Sequence, residues 1–473
     1  MLFNSLQFLV FFVVVYGTYL LLTHKWQNRM LLIASYIFYA SWDWRFLSLI
    51  IITTVVDYCC GRQIFLSSTL RKKRLFLAIS IGVDLTILGF FKYFSFFASS
   101  LQVLAEGLGI NLDTPTLHVI LPVGISFYTF QSMSYCIDVY RGDVDAQRNV
   151  LDYALYVAFF TQLVAGPIEK AKHLMPQIIS PRKITRLGII EGLWMIYWGF
   201  FLKVFVADNL AKTADAVFAI NGVMPGSDAL MGVYAFAFQI LGDFAGYSNM
   251  AIGLAKLMGF NLINNFLFPY YVTNPRDFWR NWHISLSTWL RDYLYIPLGG
   301  CRVSRLMTLR NLFLTMLLGG LWHGAAWTFV AWGAFHGVVL VLHRVGCRHT
   351  DKKNTHKEPQ PLWCLVRMLF MFHLTCIGWL LFRSQSFGQV CDLVDSLVRN
   401  MSAPSATALG HAGRVVFYSW LMLLIQYLQK RAGDVTAVLR MPAIPRITIL
   451  MLMFYLLVIW GEYHGQEFVY FQF

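Results

Sequence analysis

Charge is what this sequence has least of. Asp, Glu, Lys and Arg make up 13% of its 473 residues, against 58% that are hydrophobic. That is too little charged surface for a large soluble enzyme and suits a polytopic membrane protein. Polar stretches long enough to fold as a separate soluble domain are also missing, so residues 1–473 are expected to form one membrane domain. Acids are the scarcer sign, 24 against 38 Lys and Arg, for a formal charge of +14. The basic residues lie in short loops between apolar runs, where they set membrane orientation, and no nucleic-acid partner is expected.

The short patterns that bring particular chemistries with them are absent too. Without H-E-x-x-H, a P-loop, G-x-S-x-G or a dinucleotide fingerprint, zinc proteolysis, phosphoryl transfer, α/β-hydrolase chemistry and Rossmann redox have no support. Eight cysteines include the neighbours Cys59 and Cys60 but no C-x-x-C, so they read as small core residues, with neither a disulfide framework nor a metal expected. No basic n-region precedes the apolar run 2–22 and no A-x-A-like site follows it, so it is expected to be a retained helix.

What the chain does have is apolar runs, near 2–22, 30–42, 44–66, 75–97, 117–139, 151–167, 187–208, 229–259, 308–322, 325–343, 362–382, 413–430 and 446–461. A bilayer leaves backbone groups no water to pair with, and the alternation of a β-barrel is missing, so the fold class is all-α. Basic clusters at 71–74, 170–186, 276–310, 344–357 and 430–446 mark cytoplasmic loops; the connections 98–116, 209–228 and 384–412 then face outward, and both termini fall on the outer side. Run 151–167 begins and ends beside cytoplasmic loops and contains Gly166-Pro167, so it reads as a re-entrant or interfacial segment, tolerated only if surrounded by protein. Runs 308–322 and 325–343 are each marginal for a span of about 20 residues. Gly319, Gly320 and Gly324 mark a break between them, placing His323 at the apex of a short helical hairpin.

A titratable side chain within a membrane costs several kcal/mol unless paired or wetted, so His323 is the first candidate for chemistry. His336, close to the cytoplasmic Arg344, reads instead as an interfacial helix-end histidine. The segment "NPRDFWRNWHISLSTWLRDYLYIPLGG" (274–300) reads as an amphipathic helix from about 276 to 295 at the membrane surface, gathering Phe278, Trp282, Trp289 and Tyr293 on one face. Aromatic anchoring would explain the tryptophans; it does not explain His283. Arg276, Arg280, Arg291, Arg302, Arg305 and Arg310 would make a basic mouth suited to phosphates or to lipid headgroups. The intramembrane acids Asp57, Asp84, Asp138, Glu191 and Asp243 each need a partner or water. What chemistry remains is histidine acid–base or nucleophilic catalysis at a buried site.

The phrases "FWRNWHISLSTWLRDYLYIPLGG" and "RNLFLTMLLGGLWHGAAWTFVAWGAFHG", with "LPVGISFYTFQSMSYCIDVYRG" (121–142), "QLVAGPIEK" (162–170), "GDFAGYSNMAIGLAKLMGF" (242–260) and "FVYFQF" (468–473) in the same order, resemble the membrane-bound O-acyltransferase family, in its bacterial polysaccharide-acetylating branch. Two positions depart from the family pattern: Asn249 stands where an acid is usual and Cys301 where asparagine is expected. The resemblance implies a bowl-shaped helical bundle with re-entrant segments and a central tunnel, and a catalytic histidine at His323 with His283 at the second hallmark position. It implies an O-acetyltransferase of the cell inner membrane that moves acetyl from cytoplasmic acetyl-CoA to an exported or cell-wall polysaccharide of the alginate, peptidoglycan or cellulose type. Arg276, Arg280 and Arg291 with the aromatic walls Trp282 and Trp322 would hold the donor, His323 would act as base or nucleophile, and His283 would orient or protonate. An extracytoplasmic SGNH-type transferase is the implied partner, with membrane lipids around the chain. The alternatives are acylation of a lipid, a protein or a teichoic acid, the last by D-alanyl transfer, and a secondary transporter, for which repeat-like halves are lacking.

Overall fold

The architecture is that of a computed structural model, which describes residues 1–111, 120–350, 361–401, 404–463 and 468–469, the side chains of 347–350 excepted. Its regular structure is helical among the described residues, as composition required. Eight helical stretches there are long and apolar enough to cross a membrane: His24–Leu66, Leu70–Gly107, Arg186–Phe218, Gly226–Leu257, Trp327–Gly346, Pro361–Arg383, Ala406–Ala432 and Ala443–Trp460. The first apolar run is a 16-residue helix, Leu6–Leu21, and most of the terminal "FVYFQF" lies outside the described residues. Two connections expected to be plain outward loops carry helices, Asp208–Phe218 and Phe387–Arg399. The second is opened by the Ser386 hydroxyl accepting from Gln389 N, and it buries Leu393 and Ser396. Its apolar residues are too sparse to register as a hydrophobic run, which is why the sequence did not announce it.

The chain forms two compact units. One comprises Met1–Gly192 and Ala251–Ile263. The re-entrant candidate becomes two short helices here, Val150–Ala158 and Phe160–Leu163, too short to span and buried throughout 153–169. Its neighbours satisfy it: the Gln131 and Gln162 amides both donate to Tyr156 O, and Phe160 N donates to Ser35 Oγ at 3.1 Å. Burial by protein, rather than lipid, is what irregular backbone demands. Asp57 accepts from Ser80 Oγ at 2.6 Å and Glu191 is paired with Lys256, so two of the costly acids have their partners here. Cys60 and Cys136 are buried, whereas Cys59 is exposed.

Outside the spanning helices, Glu169 fixes a corner of this unit. Its Oε1 accepts from Ile263 N at 2.7 Å and its Oε2 pairs with His173 Nδ1 at 2.6 Å. The hydrogen bond to Glu169 raises the His173 pKa from its ordinary value, with burial opposing. The folded chain therefore holds this proton more tightly than the unfolded chain. The pair's contribution is complete below the unfolded value of about 6.5 and fades as pH rises through the folded one. Thermal unfolding in detergent between about pH 5 and pH 8 should show a modest loss of stability across that window, since His173 is 39% exposed and screened by solvent. His173→Gln should flatten the profile; an unchanged profile in that variant would assign the pH dependence elsewhere.

The second unit comprises Leu193–Met250 and Asn264–Phe473. Its central feature is the hairpin Arg305–His323 and Trp327–Thr350. The arms are 19 and 24 residues long, and the second is longer than its apolar run suggested. Gly319 and Gly320 do not break the first arm, which runs unbroken to His323; the turn is confined to 324–326. Gly320 instead lets the arms touch, because a Cβ there would sit 2.8 Å from Gly333 Cα and closer still to Phe329 O. A larger side chain at either glycine would force the arms apart.

Candidate active site

The candidate site is built in the second unit from two places 40 residues apart in sequence. The segment 274–300 is not one helix. Asn274 caps Pro275–Asn281 by accepting from Asp277 N, a second helix runs Ile284–Leu290, and a π-helical turn continues Arg291–Tyr295. The break falls at His283, whose φ of 43° and ψ of 56° put a non-glycine residue in the left-handed region. Such a conformation costs of order 1–3 kcal/mol and persists only where surrounding contacts over-determine it. Here Asn265 does so: Ile284 N donates to Asn265 O at 2.9 Å, while Asn265 Oδ1 accepts from Ser285 N at 3.2 Å and Ser285 Oγ at 3.0 Å. Periodicity could not find this break, because no glycine or proline marks it.

The kink turns the aromatic face inward. Phe278, Trp282 and Trp289 are buried rather than lying against lipid, and Trp282 packs on Trp379 at 4.7 Å and on Phe278 at 5.7 Å between ring centroids. They are core, not membrane anchors. His283 is fully buried, with Phe244 edge-on at 4.6 Å. Its Nδ1 lies 3.2 Å from the Asn265 Oδ1 that two Ser285 donors already identify as the carbonyl oxygen. The ring proton therefore belongs on Nδ1, and Nε2 carries the lone pair. Burial pushes the imidazolium pKa down to about 3, so at neutral pH this histidine is an acceptor.

His323 ends the first arm of the hairpin, buried with 3% exposure. Its ring centroid lies 6.3 Å from that of His283, 5.1 Å from Trp322, 4.9 Å from Trp332 and 5.4 Å from Phe382. Trp322 also faces His283 at 5.9 Å. The fold thus gathers four of the sequence candidates, His283, His323, Trp322 and Trp282, into one aromatic enclosure. It does not bring the arginines inside. Arg276, Arg280 and Arg291 are exposed; Arg280 lies 3.6 Å from Asp277, and Arg291 makes two hydrogen bonds to Asp292.

His336 is a correction. It is not an interfacial helix-end residue but a buried one, 2% exposed, packed among Trp332 at 4.7 Å, Trp279 at 5.1 Å and Phe278 at 6.1 Å. Counting residues to Arg344 located it along its helix but not on which face. Lys203 was missed outright. It sits in the π-helical turn Leu202–Ala207, where its Nζ meets Asp208 and Asp243, each at 2.8 Å. A lone lysine inside an apolar run was the available signal.

Comparison with known proteins follows the same residues. The model of the membrane-bound O-acyltransferase family, MBOAT, matches residues 144–383, which include both candidate histidines. The probable alginate O-acetylase AlgI of Pseudomonas putida is 42% identical over 427 residues, covering 88% of this chain and 86% of that protein. The protein of the same name from Azotobacter vinelandii is 45% identical over 388 residues, covering 82% and 76%. The peptidoglycan O-acetyltransferase of Helicobacter pylori is 35% identical over 394 residues, covering 78% and 73%.

Proposed function

The chain belongs to the membrane-bound O-acyltransferase family and is a multi-pass membrane acyltransferase; from that premise we propose that it transfers acetyl from cytoplasmic acetyl-CoA, in the inner membrane, for O-acetylation of an exported or cell-wall polysaccharide. The names of the relatives support a glycan of the alginate or peptidoglycan type. The observation that carries the reading is the meeting of two buried imidazoles, His283 and His323, at 6.3 Å inside an aromatic enclosure. Water-poor surroundings suit a thioester, whose hydrolysis competes with transfer.

In the transfer, a hydroxyl oxygen attacks the thioester carbonyl, the C–O bond forms, the C–S bond breaks, and the hydroxyl proton finishes on the CoA sulfur. His323 serves as the base that carries this proton, or attacks the carbonyl itself and holds acetyl as acyl-imidazole before passing it on. His283 presents a lone pair, so it orients or accepts rather than protonates. Trp282 and Trp322 wall the enclosure. The donor's phosphates fit exposed guanidinium groups better than buried ones, and Arg276 has no ion pair among the described residues, so Arg276 is the strongest of the three candidates, with Arg280 and Arg291 having to release Asp277 and Asp292. An extracytoplasmic SGNH-type transferase then receives acetyl for the glycan.

Donor identity is the test. Purified protein in liposomes should release CoA and transfer label from acetyl-CoA, and should be inert toward an aminoacyl-loaded carrier protein. Transfer from the carrier with none from acetyl-CoA would replace this reading with a D-alanyl type of reaction.

A further inference from the structure

Among the ring nitrogens of the second unit that are buried without a hydrogen-bond partner, three belong to one cluster: Trp279 Nε1, Trp332 Nε1 and His336 Nε2. Trp279 stands on the helix Pro275–Asn281, the other two a turn apart on Trp327–Thr350. The three rings touch pairwise, with centroids 5.6 Å apart for Trp279 and Trp332, 5.1 Å for Trp279 and His336, and 4.7 Å for Trp332 and His336. Gly378, on Pro361–Arg383, faces them. A Cβ on it would lie 2.7 Å from His336 Nε2 and 3.5 Å from Trp332 Nε1, so both nitrogens approach the same side-chain-free spot. His323 also packs on Trp332, at 4.9 Å.

Burying a polar group unpaired costs roughly 1–3 kcal/mol, and three in one place are a standing demand for a ligand. Their chemistry specifies which. An indole nitrogen only donates, while an imidazole nitrogen can accept. A hydroxyl has two lone pairs and one proton, so a single hydroxyl oxygen satisfies two indole donors and one imidazole acceptor together. A carbonyl oxygen lacks the proton that an imidazole acceptor takes.

We propose that Trp279, Trp332 and His336 form the subsite that holds a hydroxyl group of the acyl acceptor, one indole away from His323. The inference rests on the acetyl-transfer reading above and assigns the acceptor's place within it. Gly378 carries no side chain to crowd Nε2. His336 is a positioning residue here, and the indoles set the distance between the held hydroxyl and the reacting imidazole.

The test separates donor from acceptor. Trp279→Phe, Trp332→Phe and His336→Gln in detergent-purified full-length protein are assayed for acetyl transfer to a purified SGNH-type transferase, with KM for acetyl-CoA and KM for that acceptor read separately. KM for acetyl-CoA should be unchanged, while KM for the acceptor rises about fivefold to tenfold per lost hydrogen bond. Gly378→Ala, which crowds His336 Nε2, should reproduce the acceptor defect with all three rings intact; elution as a single species guards against misfolding. A parallel rise in KM for acetyl-CoA would assign the nitrogens to the donor, and an unchanged acceptor KM would leave them to a structural water; either result overturns the subsite. If wild type transfers nothing from acetyl-CoA, it is the donor reading that fails. The subsite is then read from tryptophan emission during glycerol titration without donor: a saturable change that Trp332→Phe abolishes upholds it, and no change overturns it.

Discussion

His323→Ala should abolish acetyl transfer while leaving the protein folded. A base or nucleophile that touches the reacting atoms contributes roughly 10² to 10⁴ in rate, so the variant should fall to the background of the assay. Folding survives because the enclosure is held by other rings: Trp332 still meets Phe382 at 5.5 Å, Phe329 meets Phe382 at 4.8 Å, and Trp282 meets Trp379 at 4.7 Å. Labelled acetyl transfer in proteoliposomes, with size-exclusion elution and an unfolding curve beside it, measures both halves. A well-folded variant that transfers at close to the wild-type rate would remove His323 from the chemistry. His283→Ala should be nearly as damaging and less informative, because it also releases the Asn265 network and the left-handed backbone that network holds.

The contrast between the two histidines shows what a sequence makes legible. His323 was readable because its setting is local: a glycine-rich, apolar stretch with one imidazole at the end of a run, and a hairpin that the run lengths already implied. His283 was readable as an oddity but not as a geometry. The kink that carries it comes from Asn265, 18 residues earlier, and tertiary hydrogen bonds leave no periodic trace. The same reason hid the inward turn of Trp282 and Trp289, whose spacing fits a surface anchor and a core face equally well. His336 failed for a different cause. Distance along a helix to the nearest arginine gives depth, but burial depends on which neighbour covers that face, and here Trp279 comes from another element. Helices long enough to span were found almost everywhere they occur, since twenty apolar residues are a strong signal. Helices Asp208–Phe218 and Phe387–Arg399, partly polar, were not.

Lys203→Met should be strongly destabilising. Lys203 and its two carboxylates are at most 4% exposed by side chain, with both N–O distances at 2.8 Å. Replacing the cation by an apolar side chain of similar length leaves Asp208 and Asp243 buried beside each other with like charge, and breaking a buried pair this way costs about 3–5 kcal/mol. Asp243 also accepts from Val469 N at 2.7 Å, so the loss reaches that contact too. The neighbouring Phe244 rests on His283 at 4.6 Å, which ties the cluster to the candidate site through one helix turn. Thermal unfolding in detergent should therefore fall by many degrees, and acetyl transfer with it. Because the cause is uncompensated charge and not lost volume, Lys203→Met combined with Asp208→Asn and Asp243→Asn should recover most of the stability. Unfolding of the single variant at the wild-type temperature would mean the carboxylates find water or protons at no cost, and failure of the triple variant to recover would point to the π-helical turn at Leu202–Ala207 as what the lysine supports.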